Sequence, residues 1–359
     1  MKKNLKFEVS IIVFALFTMI LNLILKHYPK FVDRVYSTSI NRATRQLLSI
    51  ITGVFPFSLA EILVPLLVLI LMGLFITLVM KIKSGEFLKH FLIISSYASL
   101  LYILFMFLWG FNYNRLPLNQ IMGLELKKAS KSELSELCDN LIKKANNLRT
   151  VVQENSEGVI EISGGYKDIF NRAQKGYDRA SEGYKELEGK YGPPKAILLS
   201  KAMSYTGITG IYMPYTGEAN VNVNEPDMML PATVLHEMAH QRGFAREDEA
   251  NYIAYLSCSM HPDADFQYSG AMLALIHSMN ALAGKDMDEY IKLTKNYSEG
   301  VRIDLRYYSS FWKQYEGKVK EASNKINDNY LKSNGQGDGV ESYGRMVDLL
   351  IAEYRKKAM

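Results

Sequence analysis

Three uncharged apolar runs in the first third of the chain constrain its fold most: Val9–Leu25, Ile62–Met80 and Phe91–Phe111. Each approaches or reaches the ~20 residues that carry a helix across about 30 Å of hydrocarbon. Packing three such runs inside a soluble core is hard, because all three come before any long polar stretch. Three N-terminal transmembrane helices are therefore expected, at about 9–25, 60–80 and 91–111. The first run lacks a small-x-small cleavage pattern at Asn22–His27, which makes it an anchor rather than a removed signal peptide. Trp109 and Tyr113 fall where interfacial aromatics are expected. Only Glu61 lies near a span boundary, and no ionisable residue sits within a span to serve a transporter.

Orientation follows from basic residues. Lys2, Lys3 and Lys6 precede the first run, and Lys81, Lys83 and Lys89 separate the second from the third; these belong on the cytoplasmic side. The longer loop with Lys26, Lys30, Arg34, Arg42 and Arg45, and everything after the third run, is then placed outside the cytoplasm. Between the first two runs, Ile40, Leu47, Leu48 and Ile51 around Arg42 and Arg45 suit either a helix lying on the membrane surface or a re-entrant or looped segment.

From Leu124 onward the composition changes to dense Lys, Glu, Asp and Asn. The chain divides at about residue 113 into a membrane part, 1–113, and a soluble part, 114–359. A net charge of +5 over 359 residues, without a basic tract interleaved with aromatics, gives no nucleic-acid footprint. Two cysteines, Cys138 and Cys258, exclude a disulfide-dense scaffold and a cysteine-ligated metal, and two buried free thiols are expected.

The soluble part reads as helix-rich. Ser130 or Ser132 caps a helix carrying Leu134, Leu137, Leu141 and Ala145, and a second helix runs from Phe170 through Tyr184. Strands are expected at Ala196–Leu199, Gly210–Met213 and Ala219–Val223, the last alternating as a half-exposed, edge-like strand able to pair with an extended peptide. Pro231 opens the next helix and Gly243 closes it. An α+β fold results, with a small sheet placed just before that helix.

That helix carries His236-Glu237-Met238-Ala239-His240. Two histidines four residues apart project from one helical face, the spacing that presents two imidazole nitrogens to one zinc ion. Glu237 sits beside them, placed to take a proton from a zinc-bound water. Glu247 and Asn251 share a face of the following helix. Glu247 is the expected third ligand, with Glu249 as the alternative, and Asn251 is expected to hydrogen-bond a ligand. Tyr343 is a candidate donor to a developing oxyanion, as are Tyr212 and Tyr215. His261 and His277 read as ordinary surface or core histidines.

These residues resemble the zincin metallopeptidases, in particular the glutamate-ligand branch, the gluzincins, in which the H-E-x-x-H pair is completed by a Glu on a later helix. Glu247-Asp248-Glu249-Ala250-Asn251 looks like that second motif, with Asn251 at the position of an Asp. The resemblance implies a zincin-like domain with His236, His240 and Glu247 as zinc ligands and Glu237 as general base. One departure is the short interval between His240 and Glu247, which gluzincins lengthen. The layout of spans followed by H-E-x-x-H-Q-R-G-F-x-x-E-D-E-A-N also resembles a family of bacterial multi-span membrane proteins that lends no substrate. The expectation is a multi-pass cell-membrane zinc hydrolase, a metallopeptidase acting on peptide or protein substrates near the lipid bilayer. The alternative is an inactive zincin-fold binding or scaffold protein. Neither composition nor motif identifies the substrate.

Overall fold

The computed structural model describes residues 5–358; Lys2 and Lys3 lie outside the described residues. Three of its helices are long and apolar enough to cross a membrane: α1 (Lys6–Leu25), α3 (Ala60–Met80) and α4 (Phe87–Leu108). α2 (Asn41–Gly53) lies between the first two. α3 and α4 form a hairpin closed by a left-handed Gly85, with the Tyr97 hydroxyl of α4 donating to Leu67 O of α3 at 2.9 Å. α1 lies along α4, and Asn114 donates to the Asn22 side chain near the end of α1. Leu25, Ala60 and Leu108 therefore sit at one end of the three-helix group, and the 81–86 turn at the other.

The segment between the first two apolar helices is helical. A π-helix, Val32–Ile40, leads directly into α2. On α2, Asn41, Arg45, Ser49 and Thr52 recur at near-helical spacing and are buried, while Leu47, Ile50 and Ile51 face outward. This inverts a soluble amphipathic helix: the polar stripe packs into the protein because partners await it there. Thr52 donates to Thr216 O (3.0 Å), and Ser49 Oγ accepts from Gly192 N (3.1 Å). Lys195 reaches the carbonyls of Thr52 and Phe55.

The described residues form one three-stranded sheet, β1 (Lys195–Ala196), β2 (Gly210–Met213) and β3 (Glu218–Val221), in the order β1-β3-β2. β1 pairs parallel to β3, and β2 pairs antiparallel to it, with Ile211 opposite Asn220. β3 is thus the central, fully buried strand, not a half-exposed edge. Its alternating asparagines mislead because they are buried polar groups with partners: Asn220 donates to Ile211 O and Asn222 to Ser204 Oγ. With both its edges paired, β3 cannot add a peptide. β1 also stops at Ala196, leaving Leu198 and Leu199 exposed.

Helices α5 (Lys131–Arg149), α6 (Leu230–Gln241), α7 (Glu247–Met260) and α8 (Ala264–Lys285) bury the main core. Ser130 and Glu133 form a reciprocal capping box that starts α5. The expected helix through Tyr184 is two, Gly165–Arg172 and Gln174–Gly183. Cys138 and Cys258 are free and buried, as expected. Near the C-terminus, α9 (Lys318–Ser333) packs on a 3₁₀ turn, Gly339–Arg345, that leads into α10 (Met346–Ala358).

Candidate metal centre

Pro231 occupies the first turn of α6, where its missing N–H costs nothing. Gly243, at φ 85°, ends the helix in the left-handed region, and any Cβ there would collide with the Arg45 guanidinium. α7 begins four residues later and packs along α6, bringing Glu247 to the histidine face. The ligating atoms of His236, His240 and Glu247 lie within 4.8 Å of one another. Glu247 Oε2 is 3.1 Å from His236 Nε2 and 3.3 Å from His240 Nε2.

The hydrogen bonds fix the imidazole tautomers. His240 Nδ1 lies 2.7 Å from Phe244 O, which can only accept, so that nitrogen carries the proton. His236 Nδ1 lies 2.7 Å from Asn251 Oδ1, and Asn251 Nδ2 donates to Tyr343 O at 3.1 Å, which orients the amide. In the neutral rings both Nε2 atoms then present lone pairs to a carboxylate oxygen. Three electron-pair donors converging in a buried site require a cation at their centre, either protons or a metal. Their 3.1 and 3.3 Å separations match the ~3.3 Å edge of a tetrahedron with ~2.0–2.1 Å bonds. The residues therefore fit zinc.

Burial opposes charge on Glu247, but the two imidazoles outweigh it and hold its carboxyl far below the usual range. Burial likewise opposes charge on His240, yet Glu247 raises its imidazole to about 9. Burial pushes Glu237 up to about 7 despite the nearby histidines, and its Oε2 has no hydrogen-bond partner among the described residues. Gly210 of β2 lies against this carboxylate, where a Cβ would overlap Glu237 Oε1.

Tyr343 stacks near His236 (ring centroids 6.4 Å, interplanar 18°), and Asn327 Nδ2 donates to its hydroxyl at 3.4 Å. Burial raises its pKa well above the ordinary phenol value, and Glu247 adds to the rise. Of the other tyrosine candidates, Tyr215 donates to Leu101 O of α4, and Tyr212 packs on Trp109 with its hydroxyl buried and without a partner among the described residues. Glu249 turns away from the histidines to accept from Leu118 N (2.8 Å) and Arg246 (3.2 Å). His261 is buried against Phe266 and bonded to Arg172 O. Burial, with His236 nearby, lowers His277 to about 4.

Several supporting residues carry no motif. Arg45 Nη1 donates to Gln241 O (2.8 Å), and Arg115 Nη1 to Gly243 O (3.1 Å). Both guanidiniums thus satisfy carbonyls at the negative end of α6, where cations are favoured. Arg115 is held in turn by Asp33 at 2.8 Å. Trp109 and Tyr113 are buried within the protein. Trp109 meets His240 edge-on at 5.8 Å, and Tyr113 pairs through its hydroxyl with Tyr330 at 3.0 Å. α4 ends at Leu108, and the chain turns through a 3₁₀ segment, Gly110–Asn114, with Trp109 against His240 and Tyr113 against Trp109. Long-range sequence distance hides these partners; only the charge of Arg45 and Arg115 beside apolar runs hints at them.

A family described as "Protein of unknown function (DUF3810)" matches residues 36–351. No curated protein and no solved structure matches the chain.

Proposed function

The chain belongs to the DUF3810 family, and we propose that it is a membrane-anchored zinc-dependent hydrolase of zincin type, a metallopeptidase whose catalytic part lies outside the cytoplasm. The observation that carries this reading is the convergence of two oriented Nε2 lone pairs and the Glu247 carboxylate beside an unpartnered Glu237 oxygen. His236, His240 and Glu247 would hold the ion, and bound zinc supplies Lewis acidity toward water and a carbonyl oxygen. Glu237 takes a proton at Oε2 and returns it to the leaving amine, a role suited to a carboxyl raised to about 7. Asn251 and Phe244 O hold the imidazoles in the ligating tautomer. Tyr343 offers its hydroxyl to the developing oxyanion. The basic 81–89 turn faces the cytoplasm, by the positive-inside bias.

Metal analysis and hydrolysis of a quenched-fluorescent peptide mixture, both on the full chain in detergent, test the proposal. Wild type and Glu237→Gln are expected to carry one zinc per chain and His236→Ala none. Glu237→Gln should lose about 10²–10⁴-fold in rate. Full activity in Glu237→Gln refutes the assigned base. Absence of stoichiometric zinc from wild type leaves the scaffold reading.

A further inference from the structure

We propose that the metal-bearing part seats itself in the lipid surface through an apolar collar, so that its partner at this face is the bilayer and its substrate is presented there. This rests on the reading of the three apolar helices as membrane spans.

One side of the collar is fixed to α3. Glu61, in the first turn of that helix, accepts from the backbone N–H groups of Leu198 (2.8 Å) and Leu199 (3.1 Å). Their side chains project outward, 78% and 68% exposed; Val54, 81% exposed at the end of α2, lies in the 52–55 segment whose carbonyls Lys195 of the same stretch reaches. Apolar residues so exposed, on a backbone clamped by a buried lysine and a carboxylate, are unexplained by packing within the chain. The other side is fixed to α4. Tyr330 of α9 packs edge-on against Phe105, in the last turn of the span, and bonds Tyr113. Val319, Ile326 and Tyr330 lie on one stripe of α9, with Ile326 72% exposed; Lys318 and Lys325 border it on one side and Lys320 on the other. An apolar stripe between lysines is the pattern of a helix lying in an interface.

The two sides lie at one depth. The Tyr97–Leu67 hydrogen bond sets the register of the α3–α4 hairpin. Moving equal distances from it toward the soluble part brings Glu61 level with Ile103, within about one turn (~5 Å) of Phe105. Tyr215 reaches further still, to Leu101 O within the apolar run. Across the gap, Lys320 of α9 lies against Gly207 in the loop leading to β2. Gly210 of that strand abuts Glu237, and α9 packs on the turn carrying Tyr343. Elements that frame Glu237 and His236 are thus the same ones that carry the collar.

Nitroxide collision accessibility in the full chain, reconstituted in nanodiscs of phosphatidylcholine and phosphatidylglycerol, tests this. Labels at Leu198→Cys and Ile326→Cys are compared with Leu69→Cys in α3 and Lys143→Cys on the solvent-facing side of α5; the native cysteines are buried. Expected is a shift of both collar labels toward the oxygen-accessible, nickel-chelate-protected behaviour of Leu69→Cys. If Leu69→Cys is lipid-exposed while both collar labels behave like Lys143→Cys, the collar is wrong and the spans stand. If Leu69→Cys is also water-exposed, the span reading fails with it. All four sites are outward-facing, so labelling leaves the packed core intact.

Discussion

Asn251 offers the sharpest single test of the metal centre. Its side chain does two things at once: Oδ1 accepts from His236 Nδ1 at 2.7 Å, and Nδ2 donates to Tyr343 O at 3.1 Å. The first bond fixes the ring so that Nε2 presents its lone pair to the site; the second fixes the amide. Truncation in Asn251→Ala frees the ring to rotate and to take the other tautomer. Partners of ligating histidines are typically worth 10–100-fold in metal affinity, or about 1.4–2.7 kcal/mol. Asn251→Asp keeps the acceptor, strengthens it with charge, and loses only the donor to Tyr343 O. The two variants should therefore diverge. Competition of the purified full chain with a fluorescent zinc chelator should give a 10–100-fold weaker site for Asn251→Ala, and an affinity at or above wild type for Asn251→Asp. Equal affinities in wild type and Asn251→Ala would show that this hydrogen bond does not orient a ligand, and the tautomer argument would fall with it.

Two further outcomes are expected. Arg45 donates to Gln241 O, Asn41 Oδ1 and Ser37 O at 2.7–2.8 Å, so Arg45→Met removes three buried charge-assisted hydrogen bonds, of which the one to Asn41 Oδ1 leaves an acceptor with a second side-chain donor, Asn112. A loss of about 3–5 kcal/mol should appear in denaturant unfolding in detergent, and Arg45→Lys should recover only part, because one ammonium cannot span the three directions. A loss below ~1 kcal/mol would show that the clamp is dispensable. Glu225, buried and accepting from Thr233 at 2.6 Å, is pushed by that burial from 4.5 up to about 8. Between those values the unfolded chain ionises while the folded chain keeps the proton, so this group makes stability fall as pH rises through that window. Glu225→Gln should flatten the decline in a pH series of unfolding midpoints; an unchanged slope would place the titration elsewhere.

The local content of the chain was legible wherever a short-range period decides it. The apolar runs, the helix between Pro231 and Gly243, the Glu247 start of the next helix and the hairpin of the second and third strands follow from neighbours within a few residues. The His236–His240 pair is set by one turn of helix, and Glu247 by the next helix start. Where buried polar groups had partners elsewhere in the chain, the pattern misled: Asn220 and Asn222 alternate like a solvent-facing edge, yet both are buried and their amide nitrogens donate within the protein, to Ile211 O and Ser204 Oγ. Trp109 and Tyr113 carry the composition of interfacial aromatics but are buried in the protein, Trp109 against His240 and Tyr113 against Trp109, because α4 ends at Leu108.

Sequence by itself determined three spanning-length apolar helices, a helix-rich body with a small sheet, and two imidazoles on one helical face. Only the tertiary structure decided which carboxylate meets them, since Glu247 and Glu249 differ by two residues on one helix and only packing of α7 on α6 chooses between their directions. It also decided that α2 turns its polar stripe inward to clamp the histidine-bearing helix α6 through Arg45. A charge's partner can lie almost two hundred residues away along the chain, and no local period encodes that distance.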